Sequence, residues 1–342
     1  MKLGIVGSTG AGRTTIFTLL SGVEPGADAF AGRTVTKVVR VPDPRLEHVH
    51  SAFSDRELKP ASFQATDFGS RVSTEQRIGE ERSADALLVV LSAFGGHDPV
   101  RVHQDLETEW TLLDLQSAER RAEKLEQRAR RPIPPKERTE VEAELDLMRR
   151  IVAWVGDELP ICDMPLDDRE LLQLRPFGLF TLKPKLFLLN VDEREVPYGT
   201  DAAQKLGVHE GIVVCGKLES ELALMAPAEE QEFKREFGIQ ELAKTRLIRK
   251  AYELLGLHSF FTIGRDEVRA WTVRLGTTAW EAAGEVHTDM QRGFIRAEVV
   301  AYDDFVASGS DMKRAKAANR VRLEGKGYVV RDADMIEFRF NV

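Results

Sequence analysis

The 342-residue chain has only two cysteines, Cys162 and Cys215, far apart and without C-x-x-C or zinc-type spacing. That excludes a disulfide framework and a dithiol redox motif, and both thiols are expected to be buried small hydrophobes in a reduced, cytoplasmic protein. No apolar run approaches the length of a membrane span. The chain opens directly on a strand pattern, so no secretory leader is expected. Its seven histidines show no H-E-x-x-H or related spacing, which argues against a metal–histidine centre. No Ser-His-Asp or Cys-His arrangement, internal repeat or low-complexity tract is evident. Positive charge is not in excess either: 48 Lys and Arg face 56 Asp and Glu, a net charge of −8 that excludes general coating of nucleic acid. What remains, 42 % hydrophobic and 30 % charged, is an ordinary globular chain long enough for two or three domains.

The most informative stretch is the first. An apolar run, Leu3–Val6, leads into Gly7-Ser8-Thr9-Gly10-Ala11-Gly12-Arg13-Thr14-Thr15, and Ile16, Phe17, Leu19 and Leu20 continue at helical spacing. Strand, glycine-rich turn and helix start come in the order a phosphate-binding loop needs. Glycines let backbone N–H groups turn towards phosphate oxygens, and the helix N-terminus adds a favourable dipole. Every fixed position of G-x-x-x-x-G-K-[ST] is matched except one, because Arg13 stands in the lysine place. Thr14 keeps the hydroxyl suited to Mg²⁺. A guanidinium is a wide planar fork, unlike the compact ammonium that fits beside β- and γ-phosphates.

Further along, Gly22–Thr36 reads as a mobile loop, Lys37–Val41 as a strand, Leu46–Phe53 as a helix and Ala61–Thr66 as a strand ending at Asp67-Phe68-Gly69. Ala84–Ser92 is a continuous apolar run suited to a parallel strand buried on both faces. Residues 101–158 form a helical hairpin broken at Pro132, Pro134 and Pro135, and its 11 basic and 14 acidic side chains suit a solvated arm rather than a duplex-gripping face. Strands follow at Pro184–Leu189 and Gly211–Cys215, and helices at Ala228–Phe237 and Leu242–Leu255. Strands alternating with helices predict a doubly wound, mostly parallel sheet with ligands at strand carboxyl ends. From His258 the texture changes: strands at Val268–Leu275 and Ile295–Tyr302, one helix over Thr277–Gln291, and short strands in Val321–Val342 suggest a β-grasp unit. This part is neutral, with 13 basic and 13 acidic residues, and has a local basic run at Lys313-Arg314-Ala315-Lys316. RNA contact would fall there, although a solvated helix face explains such a run as well. Trp271 and Trp280 are expected in the core.

Asn190-Val191-Asp192-Glu193, just after a buried strand, sits where a G protein carries N-K-x-D. Asn190 would bridge the phosphate loop and the base edge. Glu193, one methylene longer than aspartate, would accept from a guanine edge less selectively. Together with Val41-Pro42-Asp43-Pro44-Arg45-Leu46, Leu182-Lys183-Pro184, Glu267–Val273, His287-Thr288-Asp289, Gly293–Val299 and Phe338-Arg339-Phe340-Asn341-Val342, these segments resemble the YchF / Obg-like ATPase family nearly end to end.

The resemblance implies an α/β P-loop NTPase fold with an inserted α-helical coiled-coil hairpin and a C-terminal TGS-like β-grasp domain. It divides the chain into a G domain (1–100 and 180–257), the helical insertion (101–179) and the TGS-like domain (258–342). It implies ATP or GTP as ligand, Mg²⁺ dependence, and association with the ribosome or its RNA through the TGS-like domain and arm. The chain is expected to be a monomer without a membrane role. By motif match, Gly7–Thr15 is the phosphate loop, Arg13 and Thr14 the catalytic pair, and Thr14 with Asp67 the metal side. Asn190 and Glu193 become base readers, with Cys215, Gly216, Lys217 and Leu218 the loop beneath the base.

Three departures bear on activity. Arg13 replaces lysine, Asp67 and Gly69 stand one residue too close for D-x-x-G, and neither Ala31–Thr36 nor Ser70-Arg71-Val72 matches the family's switches. Phosphoryl transfer rests almost wholly on positioning and charge stabilisation. Binding should therefore survive better than hydrolysis. That leaves two readings, a slow nucleoside triphosphatase and a catalytically inactive, ribosome-docking platform.

Overall fold

The computed structural model describes residues 1–22, 32–69, 73–193, 211–222 and 241–341, with 225, 229, 232 and 235 singly. Strands in chain order are β1 (Lys2–Val6), β2 (Val35–Arg40), β3 (Glu57–Lys59), β4 (Ser62–Asp67), β5 (Ala86–Ser92) and β6 (Lys185–Asn190). They continue with β7 (Ile212–Val214), β8 (Leu257–Ile263), β9 (Glu267–Arg274), β10 (Phe294–Val300), β11 (Arg322–Glu324) and β12 (Met335–Phe340).

The first sheet has the order β2-β4-β1-β5-β6-β7. Its pairs are parallel except β2 with β4, which is antiparallel. All seven residues of β5 are buried. Ala86, Leu88 and Val90 join a core beneath the helices Arg13–Ser21 and Ala243–Leu254, while Leu87, Val89 and Leu91 face Trp110 and Phe180 on the other side. The continuous apolar run is thus the signature of a strand covered on both faces, with each Leu or Val contributing roughly 2 kcal/mol of burial.

Two long helices, Pro99–Ala129 and Pro135–Gly156, form the arm, and the prolines at 132–135 mark the turn. Asp98 starts the first by accepting from Val100 N and Arg101 N. The pair has its own core, including Leu125, Leu145, Met148 and Ile151. Cross-helix ion pairs join Arg121 to Glu144 and Arg149 to Glu126, each at 2.7 Å. At its root the buried Asp114 accepts from Phe180 N, Thr181 N and Thr181 Oγ1.

The second sheet has the order β11-β10-β12-β8-β9-β3. Strand β8 follows directly on the preceding helix and has no counterpart in the sequence reading. Neither does β3, which comes from the N-terminal half and pairs parallel with β9, Leu58 opposite Val268. The main core accordingly runs without a break from Leu3 and Ile5 to Phe261, Val268 and Met335. The single helix expected over Thr277–Gln291 is two, Ala279–Val286 and Thr288–Arg292. The extended His287 (φ −163°) ends the first and caps the second through Nδ1, which accepts from Asp289 N. The basic run lies on a short helix, Met312–Ala317. Lys316 pairs with Glu298 and Arg320 with Asp304, so part of that charge is neutralised locally.

Several expectations need correction. Cys215 is buried but Cys162 is exposed. Trp280 is 40 % exposed rather than core. Trp271 is half-buried, stacked on Phe260 with the Arg269 guanidinium 3.9 Å from its ring centre. Most of the predicted helix at 228–237, most of the 22–36 loop and all of Ser70–Val72 lie outside the described residues. Among the described residues no helix is long and apolar enough to cross a membrane, and no group of three or more His, Cys, Asp and Glu could hold a metal ion.

Candidate functional site

The carboxyl ends of β1, β4, β5 and β6 bring Gly7, Asp67, Ser92 and Asn190 to one edge of the first sheet. The turn after β1 is held by Ala11 N donating to Ser8 O and passes into helix at Gly12, whose carbonyl accepts from Ile16 N at 3.0 Å. Glycine is obligatory at two places. A Cβ on Gly7 would lie 2.3 Å from the Val90 carbonyl oxygen, and one on Gly12 (φ +90°) 2.4 Å from Asn190 Nδ2. Gly10 faces open space, and there its left-handed backbone (φ +83°) alone calls for glycine. Among the described residues Ser8 Oγ is buried without a hydrogen-bond partner. An orphaned hydroxyl in a glycine-rich turn suits a phosphate oxygen.

Asn190 holds the other side of this edge together. Buried at the end of β6, it donates from Nδ2 to Ala11 O and accepts at Oδ1 from Gly216 N, both at 3.0 Å. It therefore ties the glycine-rich turn to the segment 215–218, where the sequence suggests a bridge from that turn to a base edge. That segment is less a loop than a helix start, because Gly216–Leu222 is helical and Cys215 is buried ahead of it. Burial pushes the Cys215 thiol up. Glu193 is half-exposed and pairs with Lys217 at 3.0 Å. The side chain expected to read the base thus faces a cation, which weakens its pull on a guanine edge.

A cavity of about 890 Å³ opens between these parts, lined by Gly10, Gly12, Thr15, Phe94, Gly95, Asn190, Val191, Asp192, Glu193, Cys215 and Lys217. Phe94 and Gly95 were not singled out by sequence reasoning. The available signal was the glycine pair after the buried β5, and both Gly95 and Gly96 have positive φ.

On the same sheet edge, Thr14 Oγ1 donates to Asp67 Oδ2 at 2.8 Å. Burial raises the Asp67 carboxyl above its usual range, opposed by the Thr14 hydrogen bond and the Arg13 charge. Hydroxyl and carboxylate thus meet where a divalent cation would offset that burial. Thr9 and Leu218 complete the expected set, at the phosphate turn and in the first turn of the 216–222 helix.

The Arg13 charge also reaches Glu81. Glu81 is buried, and burial pushes its carboxyl up from 4.5 to about 7 despite Arg77 at 3.3 Å. The folded state therefore holds a proton between those pH values that the unfolded chain has released. Stability falls as pH rises through this window, by up to about 3 kcal/mol. Urea titrations from pH 4.5 to 7.5 should show that decline in the wild type and a flatter profile in Glu81→Gln. An identical slope in both proteins contradicts the assignment.

With this geometry established, comparison with known proteins is direct. A family model, YchF-GTPase_C, described as a protein of unknown function (DUF933), matches residues 257–341. The Haemophilus influenzae protein named Ribosome-binding ATPase YchF is 36 % identical over 367 residues, covering 100 % of this chain and 99 % of that protein. The Bacillus subtilis protein of the same name is 35 % identical over 370 residues, with 100 % of each covered. A solved structure described as the Schizosaccharomyces pombe YchF GTPase superposes with a TM-score of 0.85 at 25 % identity, covering 99 % of this chain and 97 % of that one. Relatives of this identity span the P-loop sheet, the arm and the C-terminal sheet together, and the chain belongs to the YchF / Obg-like ATPase family.

Proposed function

We propose that this protein binds a purine nucleoside triphosphate, ATP or GTP, with Mg²⁺ in the cavity at the strand ends, hydrolyses it slowly, and acts on the ribosome. The observation that carries the reading is Asn190, a lining residue of the cavity, which joins Ala11 to Gly216, while Thr14, next to the lining residue Thr15, holds Asp67. Loop amides from Gly7 to Thr15 would cradle the phosphates, and Thr14 and Asp67 would hold the metal. Bound there, Mg²⁺ would neutralise charge on the phosphate oxygens. Arg13 adds positive charge on the metal side. The Glu193–Lys217 pair leaves little basis for strict guanine selection. The names of the relatives, a ribosome-binding ATPase and a GTPase, support both the nucleotide and the ribosome. In this reading residues 1–100 and 180–257 form the nucleotide unit, and the arm (101–179) and the TGS-like unit (258–342) carry the ribosomal contacts, in a monomeric, cytoplasmic protein.

Mg²⁺-dependent phosphate release above background tests it, and Thr14→Ala should lower that rate by about tenfold or more. Arg13 favours a second reading, nucleotide binding without turnover. No release under any condition, with salt-sensitive ribosome co-sedimentation that survives mutation of Arg13, would select it. Absence of both turnover and ribosome association would reject both readings.

A further inference from the structure

Thr34 lies one residue beyond the β2–β4 ladder, whose terminal pair is Val35 with Asp67. It is therefore a neighbour of the Thr14–Asp67 corner. Its hydroxyl accepts from Gly69 N at 3.0 Å and donates to Glu80 Oε2. The other Glu80 oxygen accepts from Gln76 Nε2 at 3.0 Å. Glu80 and Gln76 stand on the helix Thr74–Arg82, which Ser73 caps through Gln76 N. The backbone is closed as tightly as the side chains. A Cβ on Gly69 would lie 2.4 Å from Gly32 O and 2.8 Å from Thr34 N.

A hydroxyl has one proton to give, and here Glu80 holds it, which fixes the lone pairs in the direction of Gly69. The Gly69 N–H is a backbone donor two residues after Asp67, whose carboxylate meets Thr14 at that corner, and an anionic oxygen bound beside the pair would compete for it. While Thr34 occupies it, it is closed to that oxygen. A charge-assisted bond from the hydroxyl to Glu80 strengthens the whole relay.

We propose that Glu80 is a positioning residue that latches Thr34 onto Gly69, holding the nucleotide site in a resting state that a triphosphate must open. The inference rests on the nucleotide reading above. A diphosphate lacks the terminal group that would claim Gly69 N–H, so the latch opposes triphosphates selectively.

Two measurements on the full chain test it. In nucleotide-free protein, Glu80→Ala should speed hydrogen exchange at the Gly69 amide severalfold, whereas Glu80→Gln, which keeps an acceptor for Thr34, should change it less. In calorimetry with Mg²⁺, Glu80→Ala should bind non-hydrolysable ATP and GTP analogues about tenfold tighter, with ADP and GDP unchanged. In a Thr34→Ala background, Glu80→Ala should add nothing further. A merely structural role for Glu80 would weaken every nucleotide alike or leave all unchanged. Either result in a folded variant, or unaltered Gly69 exchange, overturns the proposal. A wild type that binds neither diphosphate nor triphosphate overturns the nucleotide reading itself, and this inference with it.

Discussion

Asn190→Ala is expected to weaken binding of ATP and GTP analogues by about a hundredfold or more and to lower stability by about 2–4 kcal/mol. The size follows from what the side chain touches. Its amide satisfies Ala11 O and Gly216 N, two backbone groups from segments otherwise far apart in sequence. Alanine leaves an acceptor and a donor buried without partners, each costing about 1–3 kcal/mol. It also frees the phosphate loop from the base side, so the two halves of the ligand lose their shared frame. Asn190→Asp separates these effects. It keeps an acceptor for Gly216 N but sets a carboxylate oxygen against Ala11 O, so the phosphate loop should suffer most. Urea unfolding and calorimetry on the same samples check both consequences. An Asn190→Ala protein with wild-type stability and affinity would contradict the assigned role.

Asp114→Ala should be the most damaging substitution away from the cavity, lowering stability by about 3–5 kcal/mol. Asp114 is fully buried at the root of the arm, where the chain returns from the insertion to the sheet. Burial raises its carboxyl above the usual range, opposed by the donors Thr181 N, Phe180 N and Thr181 Oγ1 and by the Arg82 guanidinium, 4.0 Å away. Arg82 is itself committed to Leu113 O at 2.8 Å. Removing the carboxylate strands two backbone N–H groups and the Thr181 hydroxyl together, and takes a counter-charge from Arg82. Asp114→Asn, which retains one acceptor oxygen, should cost about half as much. Denaturant midpoints, with amide exchange at Phe180 and Thr181, measure it. A loss below about 1 kcal/mol would show that the return segment holds without this residue.

Much of this was legible in the sequence because it is local. Gly7–Thr14 announces its turn through glycine positions, and Ala86–Ser92 announces a strand covered on both faces by having no polar residue before its end. Prolines 132–135 place the arm's turn. Asn190 could be placed because it ends such a strand, although its partners, Ala11 and Gly216, are visible only in three dimensions. Most of the failures share a cause, tertiary contact overriding local pattern, and His287 is the exception. His287 breaks a helix that periodicity alone would continue, because its ring caps the following turn. Glu57–Lys59 is too short to read as a strand until β9 supplies its partner. Thr34 could not be singled out among neighbouring threonines, since its distinction lies in Gly69 and Glu80, 35 and 46 residues away. Arg13 is readable as a departure, but that its charge acts on Asp67 and Glu81 is visible only in three dimensions.

The central claim is that the cradle between Gly7 and Thr15 still accepts a triphosphate with arginine in the lysine place. Calorimetric titration of the wild-type protein with non-hydrolysable ATP and GTP analogues, with and without Mg²⁺, tests it most directly. Saturable one-to-one binding of both purines, strengthened by Mg²⁺, is the predicted result. No heat of binding for either analogue, with or without the metal, would contradict it.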